Sequence, residues 1–193
     1  RISRWCGDAD KFESIDGRLE DATFCIAGSI AETDDGCIYI SDSGTIRKFD
    51  GQEFSTLNME QYYIKADVLR AADNVLYVLS DVWYDLSGKP KYGLFKVDGN
   101  NFVPIVEFDA ENTNIKDFAV CKNYLYYALS IPFADSSSLT RLNIETGESE
   151  VLCALDYTVR GICADENKIY MSCYDEVGSY AYITEYDNTS GEI

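Results

Sequence analysis

At 193 residues, with 46% hydrophobic and 26% charged side chains, the chain has the composition of a folded domain and not of a disordered or fibrous segment. Its 34 acidic against 16 basic residues give a formal net charge of −18, which repels phosphate backbones and anionic leaflets and argues against nucleic acid and membrane insertion. The chain has no histidine, so a Ser-His-Asp triad, a His-ligated metal and an imidazole base are all excluded.

From Arg1 onward no charged-then-apolar leader and no apolar run long enough to span a bilayer is visible. Ile2-Ser3-Arg4-Trp5 and Phe12-Glu13-Ser14-Ile15 read as two strands. A run at Ile30-Ala31-Glu32 turns through Asp34-Asp35-Gly36 into Cys37-Ile38-Tyr39-Ile40. Next, Ile46-Arg47-Lys48-Phe49 meets Asp50-Gly51 and returns as Phe54-Ser55-Thr56-Leu57, the hairpin expected of an Asp-Gly turn between alternating apolar residues. The same order then comes back. The tyrosine strand recurs as Val75-Leu76-Tyr77-Val78, Tyr124-Leu125-Tyr126-Tyr127 and Lys168-Ile169-Tyr170-Met171. The hairpin glycines Gly51, Gly99, Gly147 and Gly191 fall 48, 48 and 44 residues apart. No stretch shows a sustained helical period.

Four strands per repeat of about 40 to 50 residues is the pattern of an all-β protein built as a β-propeller. A β-sandwich, the alternative, need not repeat in fours. The expected blades are 1–16 (last two strands only), 22–57, 66–106, 115–153 and 157–193 (incomplete), about four to five in one domain or fragment. Both ends fall inside a repeat, so the remainder of a longer propeller chain, of six to eight blades, is an expected neighbour. The seven cysteines form an odd set without a CxxC pair, which excludes a zinc knuckle or thioredoxin-like motif and favours small buried free thiols.

Residues 28–50, with their Ile30-Ala31, Asp35-Gly36, Ile38-Tyr39-Ile40, Asp42 and closing Phe49, resemble an NHL-type blade. The other repeats keep its skeleton, as in bacterial NHL-like propellers. The resemblance implies a ring with a central channel and ligands held on one face. Family members include binding modules and a few metal-assisted enzymes.

Function is expected on the face carrying the long loops. Trp83, Tyr84, Phe133, Tyr62, Tyr63 and Tyr174 are the candidate ligand-binding residues, since flat aromatic rings beside polar groups suit protein or glycan recognition. Asp42, Asp81, Asp135 and Asp175, one from each successive repeat, are candidate ligands for Ca²⁺, which prefers several oxygens. The repeating Tyr39, Tyr77, Tyr126 and Tyr170 are read as sheet packing. The expected protein is a non-catalytic binding or scaffolding propeller without cofactor. It is placed outside the cell or on its surface, with a cytoplasmic hub as the alternative. The alternative chemistry is a calcium-assisted hydrolase or lyase using acidic residues at the channel mouth.

Overall fold

The computed structural model describes residues 3–57, 64–84, 90–99, 101–109, 114–130, 136–175 and 180–193, and all of its regular structure there is antiparallel strand. The first sheet contains β1 (Gly17–Arg18), β2 (Ala27–Glu32), β3 (Ile38–Asp42), β4 (Thr45–Phe49) and β5 (Glu53–Thr56), in the order β1-β5-β4-β3-β2. The second contains β6 (Ile64–Ala72), β7 (Val75–Tyr84), β8 (Pro90–Asp98) and β9 (Asn101–Asp109), neighbours in chain order. The third follows the same rule with β10 (Phe118–Cys121), β11 (Tyr124–Ser130), β12 (Ser137–Asn143) and β13 (Ser149–Leu155). The fourth has β14 (Thr158–Ala164), β15 (Lys168–Asp175) and β16 (Tyr180–Asp187). Each sheet is a propeller blade, and the chain divides into two compact units, Arg1–Glu107 and Phe108–Ile193.

The repeat residues occupy equivalent register positions. Each repeating tyrosine sits on the second strand of its blade and faces a long charged side chain on the third: Tyr39 opposite Lys48, Tyr77 opposite Lys96, Tyr126 opposite Arg141 and Tyr170 opposite Glu185. Such cross-strand pairs cover the ring with an aliphatic stem or a cation, as where the Lys48 ammonium stands 5.8 Å from the Tyr39 ring centre. The hairpin glycines all have positive φ: +97° at Gly51, +59° at Gly99, +73° at Gly147 and +74° at Gly191. That conformation is open to glycine at little cost, which is why the residue recurs there. Asp50, Asn143 and Asp187 reinforce three of these turns, each side-chain oxygen accepting the backbone N–H groups two and three residues on. These N–H donors hold the Asp50 and Asp187 carboxyls below the ordinary aspartate range.

Packing between blades repeats as well. In the first unit Ala31, Tyr39 and Ile46 of the first blade lie in one cluster with Leu69, Leu76 and Val78 of the second. In the second unit Ala119, Tyr126 and Leu139 lie in one cluster with Ile162, Ile169 and Met171. By register Ile46 corresponds to Leu139, and Leu69 to Ile162. Polar ties cross the same seams: the Leu69 N–H donates to Ser29 Oγ at 2.9 Å, and the Ile162 N–H donates to Asp117 Oδ2 at 3.1 Å.

Backbones approach closely at Gly93, opposite Ser80. A Cβ there would stand 2.7 Å from the Val106 carbonyl oxygen and 3.1 Å from the Phe95 ring. The Gly93→Ala protein is expected to lose about 1–3 kcal/mol to overpacking, read from its urea midpoint; an unchanged midpoint would show that the seam relaxes freely.

Residues 3–16 correct the sequence expectation. They carry no strand, although two were expected there; Ile15 makes only an isolated bridge to Thr23, and pairing with the sheet is confined to β1 against β5. Apolar contacts on one blade outweigh strand formation in this segment. Trp5 meets Phe49 and Phe54 edge-on at 5.2 and 5.9 Å, and Phe24 meets Phe54 at 5.1 Å. Cys6 of this segment joins Leu19, Ala22 and Phe24, which follow it, in one cluster with Ile38 and Ile40. All seven cysteines are free, but only Cys37 and Cys173 are buried, and Cys163 is exposed.

Candidate binding site

Of the residues expected on the long-loop face, Tyr62, Tyr63, Phe133 and Asp135 lie outside the described residues. Asp81, Trp83 and Tyr84 are placed by their backbone alone. They belong to β7 and not to a loop: Trp83 pairs with Ile64 and Lys91, and Tyr84 with Pro90. The run Val82-Trp83-Tyr84 is β-branched and aromatic, which favours extending the ladder. Tyr174 is also a strand residue, opposite Thr158 and Ala181. It is half-buried, with the Arg160 guanidinium 5.7 Å from its ring centre. Asp175 ends β15 opposite Tyr180 and is half-buried.

Asp42 has a different task from the one expected. It is fully buried at the end of β3, and both its oxygens are occupied. Oδ1 accepts the N–H groups of Cys25 and Ile26 at 3.0 and 2.9 Å; Oδ2 accepts the Ser14 hydroxyl at 2.6 Å and Arg47 Nη1 at 3.1 Å. Arg47 is itself 0% exposed. It also donates Nε to Asp16 at 2.9 Å, Nη1 to the Thr23 carbonyl at 3.0 Å and Nη2 to the Ile15 carbonyl at 2.7 Å. Asp16 in turn accepts the Thr56 N–H at 2.8 Å. Asp42 is therefore the inner half of a clasp that ties the N-terminal segment to the first blade. A carboxylate satisfied by four donors has no lone pair to offer calcium. Among the described residues no group of three or more Cys, Asp or Glu side chains is arranged to hold a metal ion.

The described residues do form a polar cavity, at the opposite, short-turn ends of the strands. It lies within the second unit and has a volume of about 260 Å³. Its walls come from the β10–β11 turn (Cys121, Lys122), from Tyr124 and Tyr126 on β11, from Arg141 on β12, from Glu166 and Asn167 in the β14–β15 turn, and from Asn188 and Thr189 after β16. Turn chemistry fixes these walls. Lys122 takes a left-handed φ of +51°, and Asp165 Oδ1 accepts the N–H groups of Asn167 and Lys168, both at 2.8 Å. The Asn188 N–H donates to the Asn167 carbonyl at 2.7 Å, joining two of the turns.

The charges of the cavity are internally matched. Lys122 pairs with Glu166 at 2.8 Å, and Arg141 donates Nε to Glu150 at 2.8 Å while its guanidinium covers the Tyr124 ring at 5.0 Å. Burial pushes the Cys121 thiol up, helped by Glu166, so it stays protonated near neutrality. Burial also raises Tyr126, which the Arg141 guanidinium and the neighbouring Asn188 amide partly offset. The amide of Asn188 is shut off from solvent at both Nδ2 and Oδ1, and neither atom makes a hydrogen bond of normal geometry. None of these residues was singled out as a site in the sequence, except that Tyr126 was read as packing; at 4% exposure it does pack, while its position also borders the cavity.

No family model matches the chain, and no curated protein does. Solved structures match its fold. A protein of unknown function from Bacteroides thetaiotaomicron is similar at 17% identity and a TM-score of 0.64, covering 98% of this chain and 48% of that one. The chain is a β-propeller protein. The extracellular domain of a protein described as a hybrid two-component system, also from B. thetaiotaomicron, is similar at 12% identity and a TM-score of 0.60, over 90% of this chain and 22% of that one. An oligogalacturonate lyase from Vibrio parahaemolyticus is similar at 15% identity and a TM-score of 0.51, over 79% and 50%. At such identities the likeness is one of fold, and this propeller chain spans about half the length or less of these three. The NHL-type resemblance rests on residues 28–50 and has no family match behind it.

Proposed function

We propose that this propeller is a non-catalytic binding protein whose short-turn cavity takes one unit of an uncharged saccharide. The observation that carries the reading is the Asn188 amide beside the Tyr126 phenol at the wall of a polar cavity, a donor next to an acceptor, both shut off from solvent and neither in a hydrogen bond of normal geometry. Unmet buried polar groups are costly, and a neighbouring pair of sugar hydroxyls presents the matching acceptor and donor after a small rotation of the amide. Matched charges favour a neutral ligand, because Lys122 and Arg141 already face carboxylates and gain little from an anion. The lining also favours a small polar ligand over a protein surface: Lys122, Arg141, Glu166, Asn167, Asn188 and Thr189 make up most of the wall, where a protein interface would place an apolar core. At about 260 Å³ the cavity is smaller than drug-sized sites, which fits a single ring. The protonated thiol and paired cations leave no activated nucleophile in it, which supports binding without turnover.

Calorimetric titration with a panel of neutral oligosaccharides, uronic oligosaccharides and short peptides tests this. A neutral member should bind, and Asn188→Leu should weaken that binding by about tenfold or more through the two lost hydrogen bonds. Preference for the uronic or peptide ligands, or an Asn188→Leu protein that binds as well as the parent, would overturn it.

A further inference from the structure

Both cations of the cavity wall, Lys122 and Arg141, meet a carboxylate, but the two carboxylates differ in place. Glu166, the partner of Lys122, belongs to the wall, whereas Glu150, the partner of Arg141, stands behind it on β13. Register puts Glu150 there: it lies directly opposite Arg141 of β12, and residues so opposed share one face of the sheet. One Glu150 oxygen accepts from both Nε, at 2.8 Å, and Nη2. Held from that side, the guanidinium lies over the Tyr124 ring at 5.0 Å and reaches the Tyr126 phenol, which stands beside the Asn188 amide. The Glu150 side chain is 57% exposed, and a pair so open to water contributes little to stability. Nor does the hairpin demand an acid at this position. In the first blade Lys48 faces Tyr39 as Arg141 faces Tyr126, and the residue opposite Lys48 on the fourth strand is Ser55.

We infer that Glu150 determines which saccharides the cavity accepts: by occupying Arg141 it withholds the guanidinium from anions, and without its charge the cavity takes uronic sugars in preference to neutral ones. The inference rests on the saccharide reading above. With both carboxylates in place, the two cations of the wall are cancelled. An entering uronate gives up its hydration and gains no free cation in return, so it is rejected. A neutral side chain at position 150 leaves one positive charge uncompensated, on the group best shaped to hold a carboxylate through parallel N–H bonds. Glu150 is a positioning residue, since it acts through Arg141.

Glu150→Gln tests this, because the amide oxygen can still accept from Nε and Nη2 while the charge is gone. Calorimetric titration at low and high salt reads the ratio of Kd for a neutral oligosaccharide to Kd for its uronic counterpart. Glu150→Gln should shift that ratio toward the uronic ligand by about tenfold or more, and the shift should shrink at high salt. Glu150→Asp, which keeps the charge, should keep the parent ratio. Glu145→Gln removes the same charge from the same hairpin, but Glu145 is bonded to the neutral Asn123 amide at 2.9 Å, so the ratio should not move. If the parent binds the neutral saccharide and Glu150→Gln leaves the ratio unchanged, or Glu145→Gln shifts it equally, the inference is overturned while the saccharide reading stands. Binding of neither saccharide by parent and Glu150→Gln alike would overturn both.

Discussion

Replacing Arg47 by Met destabilises the first unit by about 3–5 kcal/mol, the expected cost of breaking a buried ion pair from one side. Arg47 is wholly enclosed, and its donors reach two carboxylates, Asp42 and Asp16, and two carbonyls, Thr23 and Ile15. A thioether fills part of the volume but leaves the Asp42 carboxylate buried without its counter-charge and frees the outer end of the clasp at Asp16. Lysine should not rescue the protein, since a single ammonium cannot donate in four directions at once. Trp5 reports the release, because its ring stands against Phe49 and Phe54. Urea unfolding followed by fluorescence and by circular dichroism should show the midpoint falling in both. A loss under about 1 kcal/mol would mean that the clasp ties down the segment without supporting the blade.

Alkaline pH should unfold the second unit before the backbone or lysines account for it. Tyr127 is 3% exposed, lies opposite Phe118 and Thr140, and meets the Phe108 ring at 5.7 Å, a setting that disfavours a phenolate. Burial pushes its pKa up to about 12, against 10 for the free side chain. The folded state therefore holds its proton while the unfolded chain releases it. Stability is fully present below about pH 10 and is lost as pH rises from there toward 12, by roughly 3 kcal/mol from this group. Burial raises Tyr39, Tyr77, Tyr126 and Tyr157 in the same direction, so the trend is shared. Thermal melts across this range should fall steeply for the parent and less steeply for Tyr127→Phe. Equal slopes for the two proteins would show that Tyr127 ionises without opening the sheet.

The blades were legible because their markers are fixed by geometry. Gly51, Gly99, Gly147 and Gly191 satisfy a positive φ at the same turn, and the tyrosines share one register position, so neither can drift without disturbing its hairpin. Residues 3–16 misled because Ile2-Ser3-Arg4-Trp5 copies the apolar-polar-polar-aromatic order of Ile46-Arg47-Lys48-Phe49, while so short a pattern does not say whether a partner strand lies alongside. Asp42 was visible as an acid, but its burial was not. The missed signal was Arg47, which shares strand parity with Phe49 and so had to face the core with a carboxylate for company. The cavity was hidden for another reason. Each of its turns reads in isolation as ordinary turn chemistry, and only the stacking of the third blade on the fourth brings Arg141, Asn167 and Asn188 to one place.

The most direct test of the account is a titration of the isotope-labelled protein with the best neutral oligosaccharide, followed by amide chemical shifts. A saccharide held in the short-turn cavity should move the signals of Asn167, Asn188 and Thr189 and the Asn188 side-chain amide, and leave β7 around Trp83 untouched. Shifts confined to Trp83, Tyr84 and the long-loop end, with the turn signals unmoved, would contradict it and return the binding face to the other side of the blades.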